Sequence, residues 1–254
     1  MIARCESAAE ARGRCRAWSR DGLTIGFVPT MGALHAGHLS LIERAAAEND
    51  RVVLSIYVNP TQYDDPDDLA NYPRTLERDL EQDARAGAHA SYLPDDADVY
   101  PDDYRFRVTE RAFSRELEGA HRAGHFDGVL TVVLKLFNIV RPDRAYFGEK
   151  DWQQLQLVRD MAAALFLDVE IVPCAVVREP DGLAMSSRNV RLSPDERRLA
   201  PSFHRLLASG RSADEIRQAL EAAGFGVDYV DRRDGRLLGA VRLGDVRLID
   251  NVPA

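Results

Sequence analysis

The chain has 254 residues, 45% hydrophobic and 29% charged, the balance of an ordinary soluble protein with room for one large or two modest domains. Asp and Glu outnumber Lys and Arg by 41 to 33, and the formal charge of −8 is the wrong sign for a main role on nucleic acid or an anionic membrane. Three cysteines form no CxxC pair, no apolar stretch is long enough to span a bilayer, and the N-terminal segment lacks the apolar core of a signal, so a cytoplasmic protein is expected.

Residues 23–29 are short, apolar and ended by proline, which predicts the first strand. Thr30-Met31-Gly32 then turns the chain, and Leu39, Ile42 and Ala46 mark one face of a helix over 38–47. The β-branched run 51–58 predicts a buried parallel strand, and with it a right-handed strand–helix–strand crossover. The acidic run 64–68 is expected as a solvated loop. A helix over 75–86, a short strand over 90–93 and a buried helix over 129–140 follow, then strand, helix and strand over 144–147, 153–166 and 168–177. Such alternation predicts a doubly wound α/β domain over residues 1–176 with a parallel sheet. After it, a polar loop over 181–189 leads into helical patterns at 194–208 and 213–223, then short strands with turns at Asp234-Gly235 and Leu243-Gly244. Residues 177–254 are therefore expected as a smaller α+β domain.

The segment from Val28 to His38 reads Val-Pro-Thr-Met-Gly-Ala-Leu-His-Ala-Gly-His. A strand ends there, a glycine turn follows, and two histidines open a helix. Amide groups at a helix N-terminus suit a phosphate, Gly32 and Gly37 permit close backbone approach, and His35 and His38 can donate to phosphate oxygens. The alternatives are a plainly capped helix, or a metal site recruiting His121 and His125 at their i, i+4 spacing. Neither a P-loop nor a dinucleotide fingerprint is present, and no GxSxG elbow is found. Phe147-Gly-Glu-Lys-Asp151 repeats the strand-to-helix layout with Lys150 as a compact cation. Met185-Ser-Ser-Arg-Asn189 adds two hydroxyls and a guanidinium suited to phosphate. Gln62, in Asn59-Pro-Thr-Gln62, and Gln154 are neutral amides fit for a polar substrate. Taken singly, each of these is also an ordinary turn, cap or surface side chain.

Together the segments PTMGALHAGHLSLI, LSIYVNPTQY, NYPRTLERDL, GVLTVVLKLFNIVRPDRAYFGEKDWQQL and GLAMSSRN, with a weaker echo in the final RLIDN, closely resemble the pantothenate synthetase (pantoate–β-alanine ligase) family. The resemblance implies a Rossmann-like fold of the nucleotidyltransferase superfamily, with an HxGH signature and a KMSKS-like loop. It further implies a homodimer that joins pantoate to β-alanine using Mg-ATP, through an enzyme-bound pantoyl adenylate, releasing AMP and pyrophosphate. Carried over by motif, Met31, Gly32, Ala33, Leu34, His35, Ala36, Gly37 and His38 resemble the first ATP segment, with His38 the catalytic histidine and His35 its partner. Gly148, Glu149, Lys150 and Asp151 resemble the second ATP segment, and Val177, Met185, Ser186, Ser187 and Arg188 the third, with Lys150 and Arg188 also catalytic. Gln62 and Gln154 resemble the pantoate contacts, Gln62 lies also near β-alanine, and Glu118 and Arg122 match charged residues lining the site. No protein ligand to a metal is implied. By the same resemblance, 1–176 is the nucleotide- and pantoate-binding domain and 177–254 a lid. The chain departs from the family pattern at Ala36, Ala123 and Trp152. Other superfamily transferases that form no amide, a metal hydrolase and a non-catalytic nucleotide binder are the rival readings.

Overall fold

The computed structural model describes residues 2–254. The chain divides into two compact units, one running to 148 and adding 153–174, the other comprising 149–152 and 175–254. The tetrapeptide 149–152, expected with the first domain, thus groups with the second unit.

In the first unit six strands form one sheet: β1 (Ala3–Cys5), β2 (Ile25–Thr30), β3 (Arg51–Ile56), β4 (Ala90–Tyr92), β5 (Arg144–Gly148) and β6 (Glu170–Cys174). Their spatial order is β1-β4-β3-β2-β5-β6, and every neighbouring pair is parallel. The helices are α1 (Ala8–Arg20), α2 (Ala36–Glu48), α3 (Pro66–Ala70), α4 (Leu76–Ala86), α5 (Asp96–Val99), α6 (Glu118–His121), α7 (His125–Val140) and α8 (Trp152–Ala164), of which α8 belongs to this unit from Gln153 on. Both faces of the sheet are covered, which is why β2 and β3 read as unbroken apolar runs. Phe27 and Val53 pack with α1, α7 and α8, whereas Val28, Val52 and Leu54 pack with α2 on the opposite face.

The sequence predicts no element before residue 23, yet β1 and α1 occupy that stretch. The signal is weak because α1 buries only Ala11 and Cys15, and β1 is three residues at the sheet edge. The acidic run 64–68 is partly helical: the Asp65 side chain accepts from the Asp67 amide and caps α3, whose Pro66 suits a first helical position.

The second unit holds an antiparallel sheet of β7 (Gly226–Arg233), β8 (Arg236–Leu243) and β9 (Val246–Pro253), in that order. Phe203, Leu207, Ile216 and Leu220 bury themselves with Leu237, Val241 and Leu248. The single helix expected over 194–208 is two helices, α9 (Pro194–Leu199) and α10 (Pro201–Leu207), because Pro201 has no amide to continue α9 and starts a new helix instead. Next comes α11 (Ala213–Ala222), whose N-terminus is closed by a reciprocal Ser212–Glu215 capping box. Among the described residues no helix is long and apolar enough to cross a membrane. Cys5, Cys15 and Cys174 are buried and form no disulfide with one another.

On α4, Asp83 is fully buried, with Ser91 Oγ donating to its Oδ2 at 2.5 Å and no partner at Oδ1. Burial pushes this carboxyl up to about 7, the Ser91 hydrogen bond working against it and the charge of Asp79 with it. A carboxyl raised on folding from an unfolded value of about 4 contributes fully below about pH 4 and loses that stability, on the order of 4 kcal/mol, as pH rises toward about 7. Asp83→Asn is expected to remove this loss. In urea melts the stability of the variant relative to the parent should rise between about pH 4.5 and about pH 8. Parallel pH profiles would show that Asp83 ionises freely in the fold.

Candidate active site

The segment after β2 is held from beneath by a carboxylate. Thr30 Oγ1 donates to the Ser55 carbonyl at 2.7 Å, tying the end of β2 to β3. Gly32 then turns at φ 81°, and a Cβ there would lie 2.9 Å from Ile56 Cγ2 and 3.0 Å from Asp79 Oδ2, so only glycine fits. Ala33 and Leu34 donate their amides to Asp79 Oδ2 and Oδ1 at 2.8 and 2.9 Å, and Thr75 Oγ1 adds a third bond at 3.0 Å. Asp79 is 1% exposed, so its charge is balanced by these donors rather than by water.

The chain then enters α2 through two histidines. His35 is the N-cap, its Nδ1 accepting from the Gly37 amide at 3.1 Å, and His38 Nδ1 accepts from the His35 amide at 3.4 Å. This is a capping box built from imidazoles, with the rings 4.1 Å apart and tilted by 32°. Because each Nδ1 accepts, each neutral ring carries its proton on Nε2, so both side chains are set as Nε2–H donors.

After β3, Asn59 is the hub of a buried polar cluster. Its Oδ1 accepts from Tyr100 Oη at 2.8 Å and Thr61 Oγ1 at 3.0 Å, while Nδ2 donates to the Gly128 carbonyl at 3.2 Å and to Gln62 Oε1 at 3.1 Å. Gln62 Nε2 in turn reaches Met31 Sδ at 3.0 Å, so two residues predicted for different ligands touch. His125, expected in a loop, is the first residue of α7 and buried; its Nδ1 lies 2.8 Å from the Gln62 carbonyl, which fixes Nδ1 as the donor. Arg122 NH1 donates to His125 Nε2 at 3.2 Å, and Arg122 Nε pairs with Asp64 at 3.3 Å. The close seat of α7 on this turn requires Gly128, since a Cβ there would fall 2.4 Å from the Thr61 carbonyl oxygen.

Gln154 is half-buried on α8, whereas its neighbour Gln153 is buried and structural. Gln153 donates to the carbonyls of Phe113 and Glu116 at 2.7 and 2.9 Å and accepts from the amide of Glu118 at 3.0 Å. Gly148 ends β5, and a Cβ added there would meet open space.

In the second unit, Glu149–Asp151 form a 3-10 turn, and Lys150 keeps a side chain 20% exposed, with Asp151 Oδ1 at 3.9 Å. Several hydrogen bonds cross the loop from 177 to 191. Met185 donates its amide to the Val177 carbonyl at 3.0 Å, Arg178 pairs across the strand bridge with Ala184, and Glu179 accepts from Asn189 Nδ2 at 2.8 Å. Ser186 Oγ accepts from the Arg188 amide at 3.2 Å and caps the 3-10 turn Ser187–Arg191, which leaves Ser187 and Arg188 half-buried.

Comparison with known proteins decides among the readings. The profile of the pantoate–β-alanine ligase family matches residues 3–253. The chain belongs to that family. The ligase is 55% identical to the pantothenate synthetase of Bdellovibrio bacteriovorus over 238 residues, 93% of this chain and 95% of that protein. It is 51% identical to the pantothenate synthetase of Coxiella burnetii over 233 residues, 92% and 90% of the two chains. Among solved structures it is similar to the Francisella tularensis pantoate–β-alanine ligase complexed with β,γ-ATP and β-alanine, with a TM-score of 0.94, 36% identity, and coverage of 100% of this chain and 98% of that one. It is likewise similar to the Thermus thermophilus pantothenate synthetase, with a TM-score of 0.91, 43% identity and 99% of each chain covered. The ligase is an enzyme that joins pantoate and β-alanine to pantothenate at the expense of ATP, through an adenylate.

The four histidines considered for a metal are not assembled into one site: His125 serves the Gln62 carbonyl, His35 and His38 cap α2, and among the described residues no three His, Cys, Asp or Glu side chains converge to hold an ion. Asp79 escapes a motif-based reading, and His125 is picked out by spacing for a metal rather than for the Gln62 carbonyl it meets. Asp79 lies within the resembling block NYPRTLERDL, but only folding shows that its two oxygens serve the residues ahead of His35.

Asp79→Asn would keep one acceptor and turn an amide NH2 toward a backbone N–H, leaving a buried donor unpaired. The variant is expected to lose about 1–3 kcal/mol in urea unfolding. ATP affinity should weaken with it, as the segment leading into the His35 cap loosens. Unchanged stability and unchanged nucleotide titration would mean that the loop does not depend on Asp79.

Proposed function

We propose a division of labour among these residues in the ligation. A free carboxylate is a poor acyl donor, and attack of a pantoate oxygen on the α-phosphorus of ATP converts its oxygen into the AMP leaving group while pyrophosphate departs. Negative charge grows on the α-phosphate oxygens and on pyrophosphate during that step. His35 and His38 meet it with Nε2–H donors held by the capping box, and the segment from Met31 to Gly37, whose amides at Ala33 and Leu34 are held by Asp79, forms the wall of the same approach. The reciprocal cap carries the reading, because it presents two pre-oriented donors at the C-terminal end of a central parallel strand, where open α/β sheets bind ligands.

Lys150 and Arg188 supply the fixed positive charge, with Gly148, Glu149, Asp151, Val177, Met185, Ser186 and Ser187 as the accompanying nucleotide contacts. ATP enters as its magnesium complex, so the ion belongs to the substrate. Gln62 and Gln154 orient pantoate through neutral amides, which satisfy polar groups without adding charge beside the reacting carboxylate. Gln62 also borders the β-alanine position. The amine of β-alanine then attacks the acyl carbon of the adenylate and AMP leaves. Holding the two reactants in register supplies about 7–11 kcal/mol, so no covalent enzyme intermediate is needed. Closure of residues 177–254 over the nucleotide would keep water from the adenylate. The protein works as a cytoplasmic homodimer without nucleic-acid or membrane partners.

Pantoate-dependent ATP–pyrophosphate exchange tests the first half-reaction, and pantothenate with AMP on adding β-alanine tests the second. Exchange without β-alanine is expected. Its absence in folded, ATP-binding protein would discard the pantoyl adenylate. His38→Ala and Lys150→Ala are each expected to cost on the order of 3 kcal/mol of barrier, a fall of about 10²–10³ in exchange rate, with the fold retained. Near-parental turnover in either variant would remove that residue from the charge-stabilising set.

A further inference from the structure

The RLIDN echo at the end of the chain has no place in the reaction just described, yet its last residue reaches the turn that bears Lys150. Asn251 lies on β9 and is 2% exposed. Its Nδ2 donates to the carbonyls of both Glu149 and Lys150, at 2.8 and 3.1 Å. Its Oδ1 accepts from Arg236 Nε at 2.7 Å, which settles which end of the amide faces the turn, and Arg236 NH2 stands 3.5 Å from Glu149 Oε2. One side chain thus gathers two consecutive carbonyls of a 3-10 turn.

The strand that carries Asn251 is itself immobilised one residue earlier. Asp250 is 3% exposed and takes a bidentate pair from Arg178, NH1 at 2.7 Å and NH2 at 3.0 Å, with His204 Nδ1 at 3.2 Å. Burial alone would raise this carboxyl, but the His204 ring nitrogen and the Arg178 pair outweigh it and hold Asp250 below the usual carboxylate range. Arg178 NH1 also donates to the Gly182 carbonyl at 3.2 Å, so the same lock grips the 177–185 hairpin. Asp250 and Asn251 point to opposite sides of β9, as strand alternation requires, and hold two different segments.

We propose that Asn251 is a positioning residue for Lys150: it fixes the backbone on which the lysine is mounted, so that the ammonium meets the phosphate charge in the adenylation step. This rests on the role given to Lys150 above. A long lysine side chain has many rotamers, and a mobile backbone beneath it would spread the ammonium over several positions, diluting its effect on a charge that develops at one place.

Asn251→Asp tests it with almost no change of shape. The acceptor for Arg236 survives, but a carboxylate oxygen replaces the donor facing the Glu149 and Lys150 carbonyls. The kcat of pantoate-dependent exchange is expected to fall about 10–100-fold. In a Lys150→Ala background the same substitution should change kcat by less than about twofold, since its effect passes through the lysine. Equal losses in the two backgrounds, or no loss in either, overturn the proposal, because a merely structural role is additive. Should Asn251→Asp fail to fold, Arg236→Gln releases the orientation of the Asn251 amide from a partly exposed position, with an expected loss of about three- to tenfold that again vanishes without Lys150. A parent protein that shows no exchange at all overturns instead the functional reading on which the proposal stands.

Discussion

The position of β2 between β3 and β5, in a sheet whose strands all run the same way, is the constraint on which the first unit depends. Parallel strands need crossovers, and right-handed crossovers carry α2 to one side of β2 while later elements bring β5 to the other. The chain therefore changes direction of winding between β2 and β5. The segments leaving β2, β3 and β5, which carry His35, Gln62 and Gly148, all emerge from the C-terminal edge of the strands. Nothing local to any of these segments accounts for their meeting there.

Their stiffness comes from buried polar groups rather than from apolar packing. Asp79 ties Ala33 and Leu34 to α4, Asn59 binds Gln62 to α7, and His125 grips the Gln62 carbonyl from the first turn of the same helix. A carboxylate or amide removed from water is costly unless every polar atom is matched, so such groups tolerate few alternative loop conformations. Several residues proposed to touch ligand share in this structural work: His35 and His38 cap their helix, Gln62 bonds Asn59 and Met31, and Ser186 caps the 3-10 turn that follows it. The second unit repeats the principle on β9, where Asp250 satisfies an arginine and Asn251 two carbonyls.

Basic side chains differ in how closely they are paired in a protein that is acidic overall. Arg122 is neutralised by Asp64, and Arg178 by Asp250, at separations of 3.3 and 2.7 Å. Among the described residues the carboxylate beside Lys150 is that of Asp151, at 3.9 Å, a loose pairing for a cation with a side chain 20% exposed. At that separation the attraction is weak, since it falls with distance and is screened where water has access.

The order of the strands from β2 to β6 with the longer helices α2, α4, α7 and α8 between them, the HxGH segment and the blocks that resemble the family are legible in the sequence, because apolar periodicity and short motifs are local properties. Elements with little apolar signal, β1 and α1, are not, and Pro201 divides a helix that periodicity alone joins. The buried polar contacts are further still from any local pattern. Asp79 stands 46 and 45 positions from Ala33 and Leu34, His125 stands 63 from Gln62, and Asn251 stands 102 and 101 from Glu149 and Lys150. What the sequence by itself determined was the chemistry on offer, namely which side chains can donate to phosphate, carry charge or orient an amide. Only the tertiary structure decided which backbone atoms those side chains hold, because hydrogen-bond partners remote in sequence become neighbours through packing, and no local pattern records them.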